Sequence, residues 1–298
     1  MDMSFDLDTY RRTVTPVGID DIDFGAFESR PLSESALRAL RYMHDVESHT
    51  VCYLRDLLLT HAHEDPRITT FLTMWNYEEY WHGVAIGRIL EAHGEPSEDE
   101  RVGPMRARLG FKDKISPWYS AIGSALMGPD FIAMHMTWGA VNEWSTAAGY
   151  DRLANRENHP VLTTLLGRIA KQESRHIAFY ATEARERLAR SRKAQKVTRF
   201  ALRYGWAPVG SPVMPVAETS FLLDHLLGGA EGRELARRID RKVAGLPGMA
   251  GLSIVEPWLV KHDILTPAGT RATANAASVP PLRSGRTPVL AGAATTAS

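Results

Sequence analysis

The chain has 298 residues, 44% of them hydrophobic, which is enough to bury a core of domain size. Lys plus Arg and Asp plus Glu both number 35, so no global charge points to a nucleic-acid partner. A single cysteine, Cys52, excludes an intrachain disulfide and any multi-cysteine zinc or iron–sulfur site built from this chain alone. Its apolar helical context reads as a buried structural thiol.

The opening "MDMSFDLDTYRR" is acidic and lacks an apolar core, so it does not read as a signal peptide. No apolar run approaches the ~20 residues of a bilayer crossing, and the expected location is the cytoplasm. Residues 1–30 carry Pro16, Gly18 and Gly25 without a long helical period, and read as an irregular arm. From Leu32 to Asp65 apolar residues recur at three- and four-residue steps, the pattern of an amphipathic helix that Ser33 or Ser35 would cap.

A second long helix is opened by Pro66 and closed near Gly94. Residues 95–128 read as loop followed by a shorter helix, "ISPWYSAIGSALM". A third long helix, with Asp130 as its expected cap, runs to the Asn158-His159-Pro160 break, and a fourth follows to about Ser191. Shorter helical pieces are expected near 217–228, 231–244 and 252–264. The stretch 266–298, without an acidic residue and rich in Ala, Thr, Gly and Pro, reads as a disordered tail. Domain-level organisation is therefore an arm over 1–30, one helical domain over 31–265, and the tail. The fold class is all-α.

Two short stretches carry the chemistry. "NYEEYWHG" contains Glu79-x-x-His82 and "KQESRHIAF" contains Glu173-x-x-His176, and no other glutamate has a histidine three residues on. Positions i and i+3 share a helix face, so each pair aims a carboxylate and an imidazole at one point. Counting back from Glu173 across the break at Asn158 reaches Glu143 at the same level, and counting back from Glu79 across the turn near His63–Pro66 reaches Glu47. Each leg is about 15 residues, on the order of 22 Å at the α-helical rise. Two helical hairpins would then deliver four carboxylates and two imidazoles to one level of a four-helix bundle, the ligand set of ferritin-like carboxylate proteins that hold two ions of iron or manganese. Burying four acids without cations would be strongly unfavourable.

These motifs resemble the acyl-carrier-protein desaturase branch of the ferritin-like superfamily. Glu78-Glu79-Tyr80-Trp81-His82-Gly83 stands where the family has Glu-Glu-Asn-Arg-His-Gly, Gln172-Glu173-Ser174-Arg175-His176 where it has Asp-Glu-Lys-Arg-His, and Glu143-Trp144-Ser145-Thr146 matches its Glu-x-x-Thr. The likeness covers roughly residues 35 to 200. It implies that Glu47 and His82 bind one iron, that Glu143 and His176 bind the other, and that Glu79 and Glu173 bridge. It also implies a catalytic Thr146, O2-dependent removal of hydrogen from an unactivated C–H bond, a homodimer, and an electron donor such as ferredoxin. Gln172 in place of an acid departs from the pattern and would orient its histidine differently.

Around this site, Phe71, Met74, Phe131, Met134, Met136 and Trp138 are candidates for an apolar channel, and Tyr150 and Tyr180 for oxidisable side chains. Residues 184–203 carry eight Lys or Arg and one Glu. If an acidic acyl carrier protein docks there, Arg187, Arg190, Lys193 and Lys196 are the expected contacts. Two other readings keep the metal site: N-oxygenation or hydroxylation of a small metabolite, which an extra histidine ligand such as His135 or His225 would favour, and iron oxidation for storage, which the extra helices fit poorly. A metal-free helical binding module is the reading without chemistry.

Overall fold

The computed structural model describes residues 4–266; beyond Thr266, the stretch read as a disordered tail lies outside them. The described chain is helical throughout, with no β-strand among its elements. Four helices form the bundle: α3 (Glu34–Glu47), α5 (Pro66–Ala92), α7 (Asp130–Glu157) and α8 (Pro160–Arg190). α3 pairs with α5, α7 pairs with α8, and α5 packs on α8 to join the two hairpins.

The helix boundaries follow local chemistry. Ser33 caps α3 by accepting from the Ala36 amide at 3.1 Å. Asp65 accepts from the amides of Arg67 (2.9 Å) and Ile68 (3.3 Å), and Pro66 occupies the first turn of α5, where its missing N–H costs nothing. Asn158 ends α7 in the left-handed conformation at φ 48°, after which Pro160 starts α8. Asp130 does not cap α7: it is the first helical residue, behind Pro129, and its carboxylate faces Lys193 at 3.6 Å.

Two sequence expectations are corrected between the ligand helices. The helix expected from Leu32 to Asp65 is broken, because α3 stops at Glu47 and a separate α4 (Thr50–Leu57) and a 3-10 turn (His61–Glu64) follow. The Thr50 hydroxyl donates to the Glu47 carbonyl at 2.7 Å, in place of a continuing backbone bond. The stretch 95–128, expected as loop and short helix, is α6 (Glu98–Met127), bent at Gly110 with φ 56°. Ser97 and Glu100 form a capping box at its start, with Glu100 accepting from the Ser97 amide at 2.9 Å.

The arm is not wholly irregular. It forms α1 (Leu7–Thr13) and α2 (Ala26–Ser29), and Tyr10 of α1 is buried against α5. After the bundle come α9 (Arg192–Gly205), α10 (Val216–Leu227), α11 (Gly229–Ala244) and α12 (Val255–Lys261). α9, α10 and α11 pack on α7, and α10 also covers α3. Buried Asp240 of α11 accepts from the amides of Ile254 and Val255 at 2.8 Å each, which ties α12 to α11. Cys52 is half-buried in α4 rather than buried.

Candidate metal centre

Each of the four bundle helices delivers at least one acid to a common level. Glu47, Glu79, His82 and Glu173 offer ligand atoms all within 4.8 Å of one another, and so do Glu79, Glu143, Glu173 and His176. All six residues are buried. The two groups share Glu79 and Glu173, so the arrangement is two adjoining four-residue sets with two carboxylates in common. Gly83 permits this approach: a Cβ there would lie 3.1 Å from Ser48 Oγ, at the point where α3 ends against α5.

The imidazoles are oriented for the role. His176 Nδ1 lies 3.0 Å from Glu173 Oε2 and 3.2 Å from Glu79 Oε1, and His82 Nδ1 lies 3.3 Å from Glu79 Oε2 and 3.4 Å from Glu173 Oε1. Both Nδ1 atoms face the carboxylates while both Nε2 atoms face outward to partners. His176 Nε2 is 2.9 Å from Glu78 Oε2, which also accepts from Tyr10 Oη at 2.9 Å, and the other Glu78 oxygen is paired with Arg175. His82 Nε2 is 2.9 Å from Gln172 Oε1, and the Gln172 amide donates to the Thr15 carbonyl at 2.9 Å. Gln172 thus holds its ring by a neutral carbonyl. One histidine is backed by a carboxylate and the other by an amide.

The carboxylates are held as well. Trp75 Nε1 donates to Glu143 Oε1 at 3.1 Å, and Tyr150 donates its hydroxyl to Glu47 Oε1. Glu78, Tyr10 and Trp75 carry functional contacts that the sequence reading did not assign. A signal existed for Glu78 in the doubled acid before Tyr80, and none for Tyr10, whose placement depends on how the arm folds back.

The charges explain why such a cluster exists. Burial, then the neighbouring acids Glu79 and Glu173, push Glu47 and Glu143 well above the usual carboxylate range. Burial opposes ionisation of Glu79 and Glu173 too, but hydrogen bonds from Glu47, His176 and His82 to Glu79, and from His176 and His82 to Glu173, overcome it and hold both acids below that range. Burial likewise opposes charge on the histidines, yet their acidic partners raise His82 to about 9 and His176 well above its ordinary value. Protons on two acids and two imidazoles therefore balance the buried negative charge. Two divalent cations would do the same with all four acids ionised and both rings neutral. Glu173 Oε1 is buried and faces His82 Nδ1 at a long 3.4 Å, which leaves it capacity for a further bond inside the cluster. The donor set of hard oxygens with two Nδ1 atoms fits a pair of metal ions.

Two spaces reach the centre, and both are walled by Glu47. One is an apolar cavity of about 80 Å³ lined by Met43, Val46, Thr146, Tyr150, Trp206, Leu222 and Leu226 among others. The other is a wider groove of about 830 Å³ between α1, the α3–α4 break, α5 and α6, with charged and polar side chains set among apolar ones. Among the proposed channel residues, Phe71, Phe131 and Met136 are core, with Phe71 stacked on Phe179 at 3.8 Å, and only Met74 lines either space. The apolar cavity lies instead against the C-terminal helices, whose docking no local pattern reveals. Thr146 borders it, half-buried; the back-bond to a preceding carbonyl belongs to its neighbour, with Ser145 Oγ donating to Val141 O at 2.8 Å. Tyr180 packs over Gly139, where a Cβ would overlap its ring.

His135 and His225 are not in either ligand group. His135 is buried beside Tyr53, its Nδ1 3.1 Å from the hydroxyl, and His225 stacks on Phe221. Of the four expected docking cations, Arg187 is engaged internally, 2.6 Å from Asp65 and 3.0 Å from Glu183, whereas Arg190, Lys193 and Lys196 are exposed. No helix of the described residues is long and apolar enough to cross a membrane. Comparison with family models, curated proteins and solved structures finds no match for the chain. The functional reading rests on the geometry.

Proposed function

We propose that this chain is an O2-dependent oxidoreductase holding two iron ions, and that it desaturates an acyl chain delivered on acyl carrier protein. The observation that carries the reading is the pair of buried four-residue groups sharing Glu79 and Glu173, with an apolar cavity meeting them at Glu47 and Thr146. Glu47 and His82 would hold one ion, Glu143 and His176 the other, and Glu79 and Glu173 both. When bound, an iron pair supplies the reduction of O2 coupled to oxidation of an unactivated C–H bond.

The chain's own residues do the rest. Glu78 and Gln172 fix the histidine rings so that Nδ1 faces the ions. Leu222, Leu226 and Trp206 exclude water from the reacting chain. Thr146, which lines the cavity, would hand over or accept a proton there. Absence of a third histidine from the two groups favours this reading over N-oxygenation, and a cavity walled by leucine and tryptophan favours it over iron storage.

Arg190, Lys193 and Lys196 supply an exposed cationic face for an acidic carrier. A homodimer is supported by α6, which turns its apolar side outward: Phe111, Trp118, Tyr119, Ile122 and Leu126 are 57–80% exposed, while Ser124 of the same helix is buried. A stripe of that size marks a contact surface. Elemental analysis of the purified chain, followed by single turnover with reductant, O2 and acyl carrier substrates and mass spectrometry of the products, tests the function. The expected result is about two irons per chain and a product lighter by two hydrogens. Iron oxidation without acyl turnover would refute the desaturase reading.

A further inference from the structure

The groove shares one candidate ligand, Glu47, with the apolar cavity, and the rest of its lining lies outside the ligand groups. Its volume of about 830 Å³ is that of a small-molecule site. Two arginines line it, Arg11 of α1 and Arg106 of α6, and among the described residues the one acid in the wall is Glu47, a member of the candidate metal centre. Arg11 is otherwise paired only with Asp8, at 3.0 Å across an exposed turn, a contact readily exchanged for a ligand. Arg106 gives one nitrogen to the Ser48 carbonyl at 2.8 Å and keeps further donors. Tyr77 and Tyr80, 42% and 52% exposed, add phenols to the wall.

Next to Glu47 in the wall stands Ser48, whose Oγ is buried without a partner. On the other side of Glu47 the lining is Met43, Val46 and leucines. A molecule that spans both spaces is therefore charged at one end, apolar at the other, and crosses the metal centre between them.

We infer that the groove seats the anionic head, a carboxylate or a phosphate ester, of a substrate whose apolar chain passes Glu47 into the cavity. The inference rests on the proposed reading in placing the reacting part of the chain at Glu47, and it specifies the substrate class of that site. Two guanidinium groups, one of them held only by the exposed Asp8 pair, select for negative charge. A free acid and the phosphopantetheine arm of a carrier both offer that chemistry.

The test measures dissociation constants by calorimetry on the full chain as purified, with metal content determined in parallel. The probes are octanoate, octanoyl-phosphopantetheine, octanoyl-pantetheine, octanol and octylamine. An anionic probe is expected to bind about tenfold or more tighter than its neutral counterpart, the worth of one charge-assisted hydrogen bond. In the Arg11→Gln/Arg106→Gln variant this preference is expected to vanish, with octanol binding and metal content unchanged. Selectivity for octanoate identifies a free acid and selectivity for octanoyl-phosphopantetheine alone identifies the carrier arm; either supports the inference. Should removal of both arginines misfold the chain, Arg11→Gln alone, which loses only an exposed pair, is expected to weaken the anionic probe about threefold. Equal binding of charged and neutral probes, selectivity that survives the substitutions, or no binding of any probe overturns the inference. Loss of metal with anion selectivity intact would instead count against the metal reading alone.

Discussion

Replacing one ligand at a time separates the shared carboxylates from the unshared ones. Glu143 belongs to one group and Glu173 to both, so Glu143→Gln is expected to leave one ion per chain and Glu173→Gln to leave none. The metal-free proteins should differ in the opposite sense from simple volume arguments, since both changes are isosteric. Burial and its acidic neighbours push the Glu143 carboxyl well above the usual range and so favour its neutral form, and glutamine can still accept from Trp75 and donate toward Glu173. Its metal-free stability should stay within roughly 1 kcal/mol of the parent, the worth of one hydrogen bond. Glu173 is ionised and faces both imidazoles, so its replacement strips the partner from two buried cations and costs about 3–5 kcal/mol. With free metal at about a hundred times Kd, each ion adds about 2.7 kcal/mol, so two add about 5 kcal/mol. At about 2–4 °C per kcal/mol for a chain of this size, the parent gains about 10–20 °C on loading and Glu143→Gln about half of that. Elemental analysis with melting curves before and after chelation reads both quantities. Two ions retained in Glu143→Gln, or equal ion counts in the two variants, would refute the assignment of shared and unshared ligands.

Glu78→Gln keeps an acceptor for Tyr10 but removes the charge behind His176, and is expected to lower the affinity of the ion on that side by roughly 10–100-fold in chelator competition; unchanged affinity would remove Glu78 from the centre. His135 carries a pH dependence, because burial lowers its pKa from 6.5 to about 4. The unfolded chain takes up a proton between those values and the fold does not, so stability is lost as pH falls through that window, by at most about 3 kcal/mol. His135→Gln should flatten the melting temperature between those two pH values relative to the parent, and parallel curves would refute the buried neutral ring. Trp118→Glu with Ile122→Glu should convert a sedimenting dimer to a monomer without lowering the melting temperature of the fold, since both side chains are exposed; a parent that sediments as a monomer removes the dimer proposal.

The bundle was legible because its signals are local. Ser33, Asp65, Pro66, Asn158 and Pro160 mark helix ends through hydrogen bonds or backbone limits that reach only a few residues. α6 was not legible in the same way. Its first stretch, "GEPSEDERVGP", reads as loop for its Gly and Pro content, but the Ser97–Glu100 box starts the helix there and the chain bends only at Gly110. Its outward apolar stripe reverses the rule on which periodicity arguments depend, because the face that looks like core is the exposed one.

The centre was legible for a different reason. Equal distances from a turn place residues at one level of a hairpin, and that relation survives even where a helix between them breaks. Glu47 is the last residue of α3, and α4 follows as a separate helix, yet Glu47 still meets Glu79 because Gly83 lets α3 come close to α5. What sequence distance cannot encode is the shell behind the ligands. Tyr10 reaches Glu78 across 68 residues and Gln172 reaches Thr15 across 157, through an arm whose own composition shows no reason to fold inward. Those contacts do not supply ligands; they set which nitrogen of each histidine faces the acids. An arm that arranges the rings without touching the ions is expected to alter metal affinity when removed while leaving all six acids and imidazoles in place, so the ligand set and its tuning are written in separate parts of the chain.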